Sequence, residues 1–372
     1  MNQINVTTPL MPNLDVYIKK LQQIWESKWI TNNGQMTIAL QKALQERMGC
    51  EVELFVNGHM ALDIAVKALQ LQGEVITTPY TFASTTHALV MNGCTPVFCD
   101  IKPEDYTIDE NKIEALITEK TTAIVPVHVY GCICNVEKIE KIAAKYDLKV
   151  IYDAAHAFDV KLNGKNIASY GDVSMFSFHA TKVFNTIEGG ALAFKKNDMF
   201  ANSIRSLRNF GIENEESVIS VGLNAKMNEF AGAMGLCNLP LMNEALKRRK
   251  QIANQYLETL RQIKGIKTLD YTKMAKRGIE YNYAYMPIQV NEEQACYSRD
   301  ELHDFLITKG IGTRKYFYPL VTDFECYRGK FRNANIPIAQ ETAKQILTLP
   351  MSASMSDEDV KRICNALHEM QR

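Results

Sequence analysis

The sequence predicts an α/β protein: a large domain on a mostly parallel, seven-stranded sheet, followed by a smaller C-terminal α+β domain. Three observations point there. Seven short, nearly all-apolar runs lie between residues 52 and 194, stretches of helical spacing separate most of them, and beyond residue 236 the alternation stops. The length agrees, since 372 residues exceed the roughly 250–300 at which a single core stops growing.

The runs are VELFV at 52–56, EVITT at 74–78, TPVFC at 95–99, TAIVPV at 122–127, KVIYD at 149–153, VSMFSF at 173–178 and GALAF at 190–194. Each is nearly all apolar, as strands covered on both faces are. After Asn57-Gly58, Leu62, Ala65, Val66 and Leu69 form a helical stripe; after Asn135, Val136, Ile139, Ile142 and Ala143 form another. Strands alternating with helices imply a parallel sheet with right-handed crossovers. This large domain takes residues 1–236. Next comes a long helical stretch from about Asn224 to Ile263, interrupted at Pro240. An alternating strand at 281–290, helices around 300–309 and 338–347, and an amphipathic helix after Ser356-Asp357-Glu358 complete a small domain at 237–372. The chain carries no internal repeat or low-complexity linker, so the two domains should pack together.

With 46% hydrophobic and 23% charged residues, the chain is neither disordered nor fibrous. Its 42 basic side chains equal its 42 acidic ones, and that balance excludes general nucleic-acid binding, which needs a basic field. Nine scattered cysteines read as reduced thiols, and Cys132-Ile-Cys134 has no second pair to complete a metal site. Without a signal-like start or an apolar run of spanning length, the expectation is a soluble, cytoplasmic protein with no membrane partner and no metal.

Ligands of open α/β folds sit beyond the carboxyl ends of the strands, so the residues just past each strand are the candidates. Asn57-Gly58-His59 opens a helix whose free amides suit an anion, or it is an ordinary capped turn. Asp153, at the end of a buried strand in Asp153-Ala154-Ala155-His156, either caps the next segment or holds a protonated pyridine nitrogen. Lys182 follows another strand in an apolar, small-residue segment, positioned for a Schiff base. Ser177 on the same loop offers a hydroxyl to a phosphate, and Glu188-Gly189-Gly190 brings the backbone close. Pro79-Tyr80-Thr81-Phe82 presents an aromatic ring at the same sheet edge, for stacking or for the core.

Phosphate cradle, stacking ring, pyridinium partner and lysine thus occur in order, each just past a strand. With these blocks the sequence resembles the DegT/StrS family of pyridoxal-phosphate (PLP) sugar aminotransferases, which have the aspartate aminotransferase fold (fold type I). The resemblance runs from Asn32-Asn33-Gly34 to Arg314-Lys315-Tyr316-Phe317-Tyr318-Pro319-Leu320, and is most specific at DAAH 153–156, SFHATK 177–182, EGG 188–190 and GLNAKMNEF 222–230. It implies that Lys182 carries PLP and moves the proton, that Asp153 pairs with the pyridine nitrogen, and that Phe82 stacks on the ring. It further implies that Gly58, the His59 backbone and Ser177 bind the phosphate. His156, where many members have Gln, is implied near the ring oxygen. Asn224 matches a residue that reaches the phosphate of the other subunit, which implies a homodimer with shared sites.

Members with His in place of the lysine dehydrate their substrates; Lys182 implies amino transfer from L-glutamate to a nucleotide-linked keto-sugar. LQQIWESKWITNNGQM and SFHATKVFNTIEGGA are most similar to members that aminate dTDP-4-keto-6-deoxyglucose at C-4, for O-antigen or another surface polysaccharide. C-3 aminating members and those using UDP- or GDP-sugars share the same core motifs. Asn32, His179 and Tyr316 are candidates for the sugar, and Lys28, Arg248 and Arg314 for the diphosphate, each with a solvated surface role as its alternative. A non-catalytic PLP or sugar-nucleotide sensor would have no need of Lys182.

Overall fold

The computed structural model describes residues 3–330 and 335–371. Seven strands form the main sheet: β1 (Glu51–Phe55), β2 (Glu74–Thr77), β3 (Thr95–Phe98), β4 (Thr121–Val125), β5 (Lys149–Asp153), β6 (Val173–Ser177) and β7 (Gly190–Phe194). Their spatial order is β1-β7-β6-β5-β4-β2-β3. The four pairs from β6 to β3 are parallel, while β7 runs antiparallel to both β6 and β1. Each strand coincides with one of the apolar runs. The reason is visible in β5, where Ile151 joins one hydrophobic cluster and Val150 and Tyr152 join the cluster on the opposite face.

Helices α1 (Leu14–Ser27) and α2 (Gln35–Met48) precede the sheet; α3 (Gly58–Ala68), α4 (Ala83–Met91) and α5 (Val136–Tyr146) follow β1, β2 and β4. In α3 and α5, the side-chain oxygens of Asn57 and Asn135 accept from the amides of Met60 and Lys138 and start the helix. α3 is apolar nearly all round because it packs against β1, β6 and β7.

After β7 come α6 (Asp198–Leu207), α7 (Glu229–Asn238) and α8 (Met242–Leu260), the last two joined by a single 3₁₀ turn over Leu239–Leu241 that holds Pro240. The helical stretch expected from Asn224 therefore begins at Glu229, where Asn228 supplies the cap. Asn224 itself is extended and bridges to Asn209. A second, three-stranded sheet orders Ile266–Thr268, Met286–Val290 and Ile346–Leu349. The strand expected at 281–290 covers only its second half, because Tyr281 and Tyr283 pack with Tyr271 in an aromatic cluster. The helix expected at 338–347 ends at Gln345, and the next four residues are the strand. The last helix, Asp357–Glu369, starts with a capping box between Ser356 and Asp359.

The boundary expected between 236 and 237 falls inside α7. The second hydrophobic cluster, centred on α8 and the three-stranded sheet, also takes in Ile4, whose carbonyl accepts from the Gly312 amide. From there the N-terminal segment crosses back, and the Leu10 carbonyl accepts from the Asn185 side chain beside β7. No helix among the described residues is long and apolar enough to cross a membrane.

Candidate active site

Between β1 and α3 the Asn57 side chain satisfies the Met60 amide at 2.8 Å. The amides of Gly58 and His59, in the first turn, stay available at the positive end of the helix. A Cβ on Gly58 would lie 3.0 Å from the Ser177 Cβ, and one on Gly190 would lie 2.5 Å from the Gly58 nitrogen. The ends of β1 and β6 and the start of β7 thus meet closely, with the Gly58 and His59 amides beside the Ser177 side chain, a shape and polarity suited to a phosphate. The His59 ring turns away, with Nδ1 3.0 Å from Ser84 Oγ, so what His59 offers the cradle is its amide.

Asp153 ends β5 and is 4% exposed. Oδ2 accepts from the Thr85 hydroxyl at 2.7 Å and Oδ1 from the Ala155 amide at 3.1 Å. Among the described residues no cation pairs with it directly. Burial pushes the carboxyl up from its ordinary value, while Thr85, Ala155 and the charge of Lys182 act against that. Such a carboxylate is completed by a cationic partner, as a pyridinium would be. Thr85 lies on the first turn of α4, and its amide bonds to the carbonyl of Phe82. The Phe82 ring, 60% exposed, is a large apolar face left open at the same sheet edge. These residues fit PLP: a phosphate cradle of backbone amides and the Ser177 hydroxyl, an open ring to stack on and a buried carboxylate in need of a cation.

Lys182 is half-buried just past β6. Its Nζ donates to the Tyr285 hydroxyl at 3.4 Å, and both line a small cavity with Ala155, His156 and Ala284. His156 Nδ1 accepts from the Tyr130 amide at 3.0 Å, which puts the ring proton on Nε2. Burial, aided by the charge of Lys182, holds this imidazole well below its ordinary value, so it stays neutral.

The substrate candidates divide. The Tyr316 ring stands edge-on to Tyr285 at 6.1 Å, and Arg314 lies over Tyr316 at 5.7 Å. His179 bonds Thr181 and stands 3.5 Å from the Glu188 carboxylate, on the Lys182 loop. Lys28 is the exposed C-cap of α1, and Asn32 sits on the exposed turn after it. Asn224 is exposed, its side chain accepting from Lys226. Arg248 is committed to the Met355 carbonyl and the Asp357 carboxylate. Thr85 and Tyr285 were not legible as site residues; the periodic placement of Thr85 one turn after Phe82 was the available signal, whereas Tyr285 gave none. No group of His, Cys, Asp or Glu among the described residues could hold a metal ion.

A model of the DegT/DnrJ/EryC1/StrS aminotransferase family matches residues 15–368. The chain belongs to this family. This DegT/StrS member is an aminotransferase of fold type I, with pyridoxal 5′-phosphate as its cofactor. It is 42% identical to the dTDP-4-amino-4,6-dideoxy-D-glucose transaminase of Shigella dysenteriae, over 99% of both chains. To the Escherichia coli protein of the same name it is 40% identical, over 98% of both. The structure of DesI with its TDP-sugar product superposes with a TM-score of 0.94 at 32% identity, covering 100% of this aminotransferase and 93% of DesI.

Proposed function

We propose that this aminotransferase moves the amino group of L-glutamate to C-4 of dTDP-4-keto-6-deoxy-D-glucose, giving dTDP-4-amino-4,6-dideoxy-D-glucose. The observation that carries the reading is the end-to-end likeness to two transaminases named for that product, in a chain that keeps a lysine at 182. PLP, when bound, supplies an aldehyde carbon to carry the amino group and a ring to take up the electron pair left on the substrate carbon. The chain's part is to hold and to move protons. The amides of Gly58 and His59 and the Ser177 hydroxyl hold the phosphate; Phe82 orients the ring plane; the Asp153 carboxylate keeps a proton on the ring nitrogen. Lys182 would hold the cofactor and, with its amine free, Nζ would be the group that takes up and returns the proton of the substrate α-carbon. The keto-sugar enters next and Lys182 works in the opposite direction.

The enzyme works in the cytoplasm for O-antigen or another surface polysaccharide, as a homodimer. Large apolar side chains exposed at Leu14, Trp25, Trp29 and Ile30, on and just after α1, support the dimer, and an exposed Asn224 is available to reach the partner's phosphate. Purified enzyme should be yellow, glutamate alone should convert its spectrum with release of 2-oxoglutarate, and Lys182→Ala should abolish both. Mass spectrometry over dTDP-, UDP- and GDP-keto-sugars tests the acceptor; activity only with a 3-keto sugar defeats the C-4 reading. A mixed dimer of Asn224→Ala and Lys182→Ala chains should contain one repaired and one doubly damaged site; a fully active monomer defeats the shared-site reading.

A further inference from the structure

Tyr285 is brought to Lys182 by a clamp that the amino-transfer chemistry does not otherwise explain. Asn282, 1% exposed, donates from Nδ2 to the carbonyls of His156 and Phe158 at 2.8 and 2.9 Å, and accepts the Ala284 amide on Oδ1 at 3.1 Å. That ties the segment before Tyr285 to the segment after Asp153. On the other side lies Arg249, buried on α8 without a carboxylate among the described residues. Its Nη1 donates to the carbonyls of Tyr283, Ala284 and Met351 at 3.2–3.4 Å. Two buried side chains therefore place three hydrogen bonds on the two carbonyls and one amide that precede Tyr285, and use three more to anchor that segment to His156, Phe158 and Met351. The Tyr285 ring itself packs 4.5 Å from the His156 ring.

A buried phenol hydroxyl needs a partner, and among the described residues this phenol has the Nζ of Lys182. The pairing survives a change of protonation state: the phenol oxygen accepts from an ammonium, and its O–H donates to a neutral amine. Lysine otherwise has four flexible side-chain bonds, and an amine cut loose from a covalent bond would sample many positions.

We propose that Tyr285 is a further catalytic residue, the docking point of the Lys182 amine whenever that nitrogen is not bonded to the cofactor. The phenol keeps the freed amine facing the cavity shared with Ala155 and His156, in reach of the carbon whose proton it must move. This rests on Lys182 being the cofactor lysine.

The test uses the Tyr285→Phe holoenzyme, which loses one hydroxyl and no ring. In stopped-flow turnover with glutamate alone, the half-reaction should slow roughly tenfold, as a proton carrier that has lost its fixed position does. The saturation constant for glutamate should stay unchanged, and the isotope effect with α-deuterated glutamate should rise. A second readout needs no cofactor: in the cofactor-free protein, cyanate should carbamylate Lys182 about threefold faster in the variant, a modest change suited to one long hydrogen bond, followed by peptide mass mapping. Equal carbamylation and equal half-reaction rates in variant and wild type, with Lys182 mapped as the cofactor-bearing residue, overturn the docking role alone. Cofactor found on a different lysine in the wild type overturns the reading beneath it, and the docking role with it.

Discussion

Thr85 Oγ1 stands 2.7 Å from Asp153 Oδ2, and Thr81 Oγ1 stands 2.8 Å behind it. Since Thr85 gives its hydrogen to the carboxylate, Thr81 gives its own to Thr85, and the first turn of α4 with the residue before its cap feeds a two-hydroxyl chain into the buried acid. Thr85→Val keeps the shape and removes one of two donors to Asp153. Burial already pushes this carboxyl up, and losing a donor to the charged form pushes it further. The glutamate half-reaction should therefore slow by about tenfold, more at low pH than at high. Stopped-flow spectra across pH check it, and a pH-independent loss would contradict the chain's role.

Gly190→Ala should damage cofactor binding by displacing the Gly58 amide, while removing none of the groups that bind the cofactor. The new Cβ would lie 2.5 Å from the Asn57 carbonyl carbon and the Gly58 nitrogen, backbone atoms that move only if the start of α3 moves. A shift of the phosphate cradle should raise the cofactor dissociation constant by at least about tenfold, the loss of roughly one charge-assisted hydrogen bond. Spectral titration of the cofactor-free protein measures it, and unchanged affinity would show that the cradle tolerates the displacement.

The seven strands were legible because each is a short, mostly apolar run that a turn-forming or polar residue closes within two residues. The chemistry at their ends was legible for the same reason: Gly58, Asp153 and Ser177 each lie within three residues of a strand end. What did not show was whatever tertiary contact decides. Ile346–Leu349 is four apolar residues directly after a helix, and periodicity cannot separate a helix tail from a strand there. Tyr281 and Tyr283 alternate like a strand yet pack as an aromatic cluster. Tyr285 and Lys182 are 103 residues apart, and no local pattern pairs them. α1 and α2 precede the first apolar run, where the alternation of strands and helices offers no landmark.

Glu229 is a buried carboxylate without a cation among the described residues. It accepts from the amides of Met36 and Thr37 at 2.6 and 3.1 Å and from the Thr37 hydroxyl at 2.7 Å. It thereby caps α2, whose own N-cap, Gly34, has no side chain to do so. Its own amide holds the Ile30 carbonyl, so the turn carrying Asn32 is tied at both ends to α7. Glu229→Ala should cost about 1–2 kcal/mol of stability through the lost cap, and should raise the KM for the sugar nucleotide more than that for glutamate. Thermal melts and two-substrate kinetics separate the two effects; equal changes in both KM values would leave Glu229 a purely structural cap.

His128 and His156 make the fold sensitive to acid. Burial holds His128 down to about 3, and burial followed by the Lys182 charge holds His156 well below its ordinary value. In the unfolded chain both take up a proton near pH 6.5. A folded-state value below the unfolded one means that the unfolded chain binds more protons as pH falls. The stability each contributes is thus fully present above about pH 6.5 and drains away below it, for His128 until about pH 3. The slope approaches about 1.4 kcal/mol per pH unit for each histidine. His128→Phe keeps a ring stacked on Tyr152, 4.6 Å away in the native protein, and gives up the acceptor for the Cys134 amide. It should lower stability at pH 7.5 yet lose less of it on acidification. Urea unfolding at pH 7.5, 6.0 and 5.0 measures both, and wild-type and variant curves that fall in parallel would exclude His128 as a source of the acid sensitivity.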